Sequence, residues 1–178
     1  MSPVARQHVE ILLNQETIAR RIGELGNQIS REYPGKKLLV VGVLKGCMIF
    51  MADLVRAIHL PVEIEFIWAS SYRKGTARDE EIHLGGGDWA ISVGGRDVLL
   101  VEGVIESGRT ASLIIEKLRG MNPASLALVT LIDKPQRRRS PVEIKYKGFT
   151  VGNEFIIGYG LDNTQQHRNL PFIGKLTE

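Results

Sequence analysis

Residues 95–120, GRDVLLVEGVIESGRTASLIIEKLRG, decide the fold. The apolar run Val98 to Val101 has the character of a strand covered on both faces. It leads through a turn of Gly, acid, Ser, Gly, Arg and Thr into RTASLIIEKLRG, a segment of helical length closed by Gly120. A helix that begins just after Gly108 aims unpaired backbone N–H groups and the positive end of its dipole into that turn, which suits a phosphate. Ser107 and Thr110 add hydroxyl donors, and Gly108 lets the backbone come close. Glu102 and Glu106 would repel a phosphate unless they face sugar hydroxyls, a cation or a proton to be moved. A phosphorylated ribose meets both demands at once.

Outward from this unit, strands and helices alternate. Ile18, Ile22, Leu25 and Ile29 form one helical stripe between Asn14, a suitable N-cap, and Tyr33. KKLLVVGVLKG reads as a strand buried on both faces, and CMIFMADLVRAI follows at helical length. VEIEFIWASS places Val62, Ile64, Phe66 and Trp68 on one side of a strand. YRKGTARDEE then breaks all periodicity and is expected to be a loop, after which Gly85, Gly86 and Gly87 lead back to GRDVLLVEG; ASLALVTLIDK is a further strand. The expected fold class is α/β, a mostly parallel twisted sheet flanked by helices on both faces. Ligands of such sheets bind beyond the carboxyl ends of the strands. Leu44-Lys45-Gly46, Ser70-Ser71-Tyr72, Glu102 to Thr110 and Asp133-Lys134 all lie there.

Composition narrows the rest. The chain has 178 residues, enough for one domain with a real core, and no apolar run reaches the length of a membrane span. Its N-terminus lacks the uninterrupted apolar stretch of a secretory signal, so a cytoplasmic protein is expected. Cys47 stands alone among apolar neighbours and reads as a small buried hydrophobe; the four histidines show no metal-ligand spacing. A net charge of +3 accommodates phosphate-bearing ligands but is too small to indicate nucleic acid. The basic run QRRRS at 136–140 is expected to be a solvated loop.

VLLVEGVIESGRT resembles the phosphoribosyl-pyrophosphate-binding segment of the type I phosphoribosyltransferases. GVLKG, SSY, LIDKP with the basic residues after it, EFIIGYGLD and RNLPFIGKL resemble, in order and spacing, the hypoxanthine-guanine members, over about residues 11–176. The resemblance implies a single domain over 1–178 with a small hood built from the terminal segments, and purine salvage: transfer of the phosphoribosyl group to hypoxanthine or guanine, with Mg²⁺, in a homodimer or homotetramer. It implies that Glu102, Gly103, Glu106, Ser107, Gly108, Arg109 and Thr110 hold the ribose 5-phosphate, with Glu106 as the base near purine N7. Lys45 and Gly46 would contact pyrophosphate, after a cis Leu44–Lys45 peptide bond. Ser71 and Tyr72 would begin the closing loop, and Arg168 would bind the far end of the pyrophosphate. Lys134 would donate to the purine 6-oxo group, Phe155 would stack on the ring, Ile156 would contact it through its backbone, and Asp162 would sit near the metal and the purine edge, with Glu102 also serving the metal.

Two positions depart from the family pattern: Gly103 stands where a second acid is usual, and Glu106 where the base is usually Asp. An aspartate at 103 is therefore expected to restore a grip on the ribose. The same Gly103 leaves two alternatives open. One is a catalytically weakened member that binds nucleotide or RNA as a regulator, with QRRRS as contact. The other is a nucleoside-triphosphate loop written Gly103-x-x-x-x-Gly108-Arg109-Thr110, although Arg109 stands where that loop needs Lys.

Overall fold

Alternate side chains of the central strands enter two different cores, which is why these strands are apolar at every position. Leu38 and Val40 pack on one face of the sheet while Leu39, Val41 and Val43 pack on the other; Leu99 and Val101 are likewise divided from Val98 and Leu100. The structure, a computed structural model, describes residues 8–73, 80–85 and 92–177, with His8, 70–73 and 80–85 described by their backbone alone. The chain runs β1 (His8–Leu13), α1 (Gln15–Glu32), β2 (Leu38–Leu44), α2 (Met48–Ala57), β3 (Val62–Arg73) and β4 (Glu80–Gly85). It continues through β5 (Asp97–Ile105), α3 (Arg109–Arg119), β6 (Ser125–Asp133), a 3₁₀ turn (Pro135–Arg137), β7 (Tyr146–Thr150), β8 (Ile156–Ile157) and β9 (Ile173–Thr177).

The main sheet has the order β4-β3-β2-β5-β6-β7, parallel except for β4. Helix α1 contributes its expected stripe, Ile18, Ile22, Leu25 and Ile29, to the first core, and α2 adds Phe50, Met51 and Leu54. Asn14 is the N-cap of α1, its Oδ1 accepting from the Thr17 N–H at 2.9 Å. Helix α3 covers the opposite face through Ala111, Ile114 and Leu118. Strands β1, β9 and β8 form a separate antiparallel sheet, the small hood expected from the terminal segments. Cys47 is fully buried, as its neighbours suggest.

One expectation is corrected. YRKGTARDEE is not simply a loop, because Tyr72 and Arg73 extend β3 and Glu80 and Glu81 open β4, which pairs antiparallel from Trp68–Gly85 to Arg73–Glu80. An edge strand satisfies its backbone through its neighbour and needs no apolar periodicity, so the pairing left no hydrophobic signature. The rest of that stretch, and Gly86 and Gly87, lie outside the described residues.

Candidate active site

The parallel register of β5 and β6 builds the centre of the site. Ile105 lies opposite Asp133, and the Lys134 N–H donates to the Ile105 carbonyl at 2.9 Å, so Glu106 and Lys134 leave neighbouring strand ends side by side. Lys134 is buried, 1% exposed. Its Nζ donates to Glu106 Oε1 at 2.6 Å and to the Glu154 carbonyl at 2.8 Å. An ammonium has three protons, so one remains beyond these two partners. The other carboxylate oxygen, Glu106 Oε2, accepts from Arg137 Nη1 at 3.1 Å. Burial pushes the Glu106 carboxyl up, but the hydrogen bonds and charges of Lys134 and Arg137 outweigh it and hold the group below the usual range.

The turn before α3 has the expected backbone form. Gly108 is the N-cap of α3 with φ of 81°, and the Arg109 N–H faces Ser107 Oγ at 3.4 Å. A side chain at 108 would be excluded twice, by that φ and by the Ser140 carbonyl oxygen, 2.6 Å from where a Cβ would stand. The Arg139 and Ser140 N–H groups both donate to the Ser107 carbonyl at 2.9 Å, and Arg138 pairs with Asp133. The basic run is exposed at Gln136, Arg137 and Arg139, as expected of a solvated loop, but it is tied to the turn before α3. Pro135 starts a 3₁₀ turn that folds it back over the anion seat, and carboxylates at 106 and 133 neutralise two of its three arginines.

On the other side of the turn, a cavity of about 250 Å³ is lined by Leu44, Gly46, Glu102, Glu106, Ser107, Gly108 and Thr110 among others. The Leu44–Lys45 peptide bond is cis, as the resemblance implies. Burial pushes the Glu102 carboxyl up to about 8, and no ion pair with another described residue offsets it. A larger cavity of about 740 Å³ lies behind α3 between Ser112 and Lys145, away from every predicted site residue.

Gly103 is the clearest revision. A Cβ there would stand 2.5 Å from the Gly46 carbonyl oxygen and 2.8 Å from its carbon. The Gly46 loop occupies the room an aspartate would need, so an acid at 103 has to displace that backbone before it can tighten any grip. Gly160, with φ of 99°, bears on the same oxygen from the hood, where a Cβ would again be 2.5 Å away.

The hood loop gathers Arg168, Asp162 and Gln165. Arg168 Nη1 donates to the Gly160 carbonyl at 2.8 Å, and Nη2 pairs with Asp162 Oδ1 at 2.8 Å and Gln165 Oε1 at 3.2 Å. Lys45 Nζ reaches Gln165 Oε1 at 3.5 Å. Phe155 is 53% exposed beside the carbonyl of Glu154, and Ile156 is buried in β8. The side chains of Ser71 and Tyr72 lie outside the described ones; their backbones end β3. Among the described residues no three donor side chains gather for a metal. Mg²⁺ characteristically takes one or two carboxylates and completes its shell with substrate phosphates and water. An uncompensated carboxyl at Glu102 suits that role, whereas Asp162 is already paired with Arg168.

Arg137, Gln165 and the Glu154 carbonyl were not anticipated. For Arg137 a signal existed: three residues beyond Lys134 and after a proline, it shares a face with Lys134 if the turn is 3₁₀.

The mostly parallel sheet and small hood are the architecture of a phosphoribosyltransferase, and a family model described as a phosphoribosyl transferase domain matches residues 8–164. The chain is 42% identical over 174 residues to the hypoxanthine phosphoribosyltransferase of Haemophilus influenzae, covering 96% of this chain and 97% of that one. It is 42% identical over 167 residues to the hypoxanthine-guanine phosphoribosyltransferase of Staphylococcus aureus, covering 94% and 93%. A crystal structure of a hypoxanthine phosphoribosyltransferase from Staphylococcus aureus superposes with a TM-score of 0.89 at 42% identity, over 94% of this chain and 91% of that one. The chain belongs to the hypoxanthine and hypoxanthine-guanine phosphoribosyltransferases. Membership removes the triphosphate-loop alternative and favours an enzyme over a regulator.

The Glu102 carboxyl yields a test. Its native pKa of about 8 lies above an unfolded value of about 4.3, so between them the native state binds more protons and stability falls as pH rises. Glu102→Gln removes the titrating group. Melting temperatures recorded from pH 5 to 9 should show the variant gaining on the wild type as pH increases; parallel curves would mean that Glu102 ionises normally.

Proposed function

We propose that the protein transfers the 5-phosphoribosyl group from phosphoribosyl pyrophosphate to hypoxanthine or guanine, giving IMP or GMP and pyrophosphate in cytoplasmic purine salvage. The observation that carries this reading is Lys134, a buried ammonium that bridges the Glu106 carboxylate and the Glu154 carbonyl with a proton to spare, between the phosphate turn and the exposed Phe155 ring. A donor aimed at position 6 accepts a 6-oxopurine and rejects adenine, whose amino group would face it donor to donor.

In this mechanism the turn from Glu106 to Thr110 holds the 5-phosphate, Phe155 stacks on the purine, and the Ile156 backbone contacts it. Purine N9 attacks C1′, the bond from C1′ to the pyrophosphate oxygen breaks, and the N7 proton passes to Glu106 Oε. Lys45 and Arg168 stabilise the negative charge on the departing pyrophosphate. Mg²⁺, when bound, would supply further charge there, with Glu102 as the carboxylate free to hold it and Asp162 able to join only by giving up its Arg168 pairing. Ser71 and Tyr72 begin the loop that shields the cation-like ribose from water. Residues 1–178 act as one domain. Ile64, Phe66 and Trp68, on the same side of β3 as α2, are large exposed apolar side chains, which supports burial against a second copy in a homodimer or homotetramer.

The deciding experiment is chromatographic detection of IMP or GMP from each base with phosphoribosyl pyrophosphate and Mg²⁺. Product formation well above background is expected, and none at high enzyme concentration would favour a regulator. In the same assay, Gly103→Asp should raise the Michaelis constant for phosphoribosyl pyrophosphate several-fold with little change for the purine, because the Cβ displaces the Gly46 loop. A lower constant would mean that the loop yields and the added acid grips the ribose.

A further inference from the structure

Lys134 and Arg137 are the two ends of one 3₁₀ turn, closed by the Arg137 N–H on the Lys134 carbonyl at 3.1 Å, and both side chains end on a single carboxylate. We propose that Arg137 is a positioning residue for Glu106: it holds the second oxygen of the proton acceptor while Lys134 holds the first, and so keeps the carboxylate in one plane and charged for the transfer. The inference rests on the phosphoribosyltransferase reading of the site.

An exposed ion pair by itself contributes little. This one differs in what it shares. Lys134 is buried and fixed by the Glu154 carbonyl, so Glu106 Oε1 is anchored at a point about which the rest of the carboxylate can pivot. Glutamate has one more rotatable bond than aspartate, and a single anchor leaves that freedom in place. The Arg137 guanidinium, 44% exposed, removes it by taking Oε2. Arg137 holds Glu106 Oε2 independently of Lys134, so a 6-oxopurine that draws on Lys134 leaves this second anchor in place.

The surrounding charges leave this role to Arg137. Asp133, at the end of β6, is taken by Arg138 and by Lys147 of β7. Arg138 and Arg139 lie along the same cavity wall as Glu106 and Arg137, and Arg139 is tied to Ser107 through its backbone. Glu154 presents its carbonyl to Lys134, Glu102 lies four residues before Glu106 within β5, and Arg109 begins α3 beyond Gly108. Among these described groups the cations bonded to Glu106 are Lys134 and Arg137.

The test uses Arg137→Met, which keeps length and loses charge, and Arg137→Lys, which keeps charge. Both are assayed for kcat and both Michaelis constants across pH, and ¹³C NMR follows the Glu106 carboxyl without turnover. Arg137→Met should lower kcat about tenfold to a hundredfold and leave the phosphoribosyl pyrophosphate constant within about twofold. Its acid limb and the Glu106 titration should both move up by about one pH unit, and Arg137→Lys should restore most of each. An unchanged Glu106 titration in Arg137→Met overturns the proposal, as does a kcat loss without movement of the acid limb. If the wild type forms no nucleotide, the proposed function fails, and the NMR titration still decides whether Arg137 controls Glu106.

Discussion

The pairing of β5 with β6 is the constraint on which the rest depends. Two parallel strands in this register end with an acid on one and a lysine on the other, one residue beyond the Ile105–Asp133 pair. Lys134 is then too deeply placed to be solvated, and a buried ammonium is tolerable only with acceptors around it. Glu106 and the Glu154 carbonyl supply them. Glu106 belongs to the phosphate turn and Glu154 to the approach to the hood, so satisfying one buried charge ties together the anion seat, the end of β6 and the segment carrying Phe155. In the proposed function that arrangement supplies the proton acceptor at Glu106, the donor at Lys134 and the stacking surface at Phe155.

A second junction is made without charge. The Gly46 carbonyl lies against Gly103 of β5 on one side and Gly160 of the hood on the other, at distances that exclude a side chain at either. Lys45 and the Arg168–Asp162–Gln165 group meet across it through Gln165. The missing acid at 103 is thus matched by a loop seated directly on the strand. Substitutions at 103 act first through backbone position and only then through charge.

Legibility in the sequence followed the physics of each feature. Double-sided burial leaves continuous apolar runs, so β2, β5, β6 and the sheet class were readable, and the α1 stripe and its Asn14 cap were readable from local spacing. The Gly108 cap of α3 was readable because a glycine before an apolar-periodic segment marks a helix start. The β3–β4 pairing was not, since an edge strand satisfied by backbone bonds needs no hydrophobic code. Arg137 is exposed, as expected, but its pairing with Glu106 was not readable because that partner lies 31 positions away and is reached only through the register of two strands. The room at Gly103 was equally invisible, because a tertiary contact with Gly46 fills it.

The central claim is that Glu106 and Lys134 work as one unit, and a double-mutant cycle measures that directly. Glu106→Gln, Lys134→Met and the double variant would be compared by kcat/KM for hypoxanthine at saturating phosphoribosyl pyrophosphate. The account predicts strong coupling, with the double variant little worse than the more damaged single one, because either change already disrupts the pair. Losses that multiply independently in the double variant would contradict it.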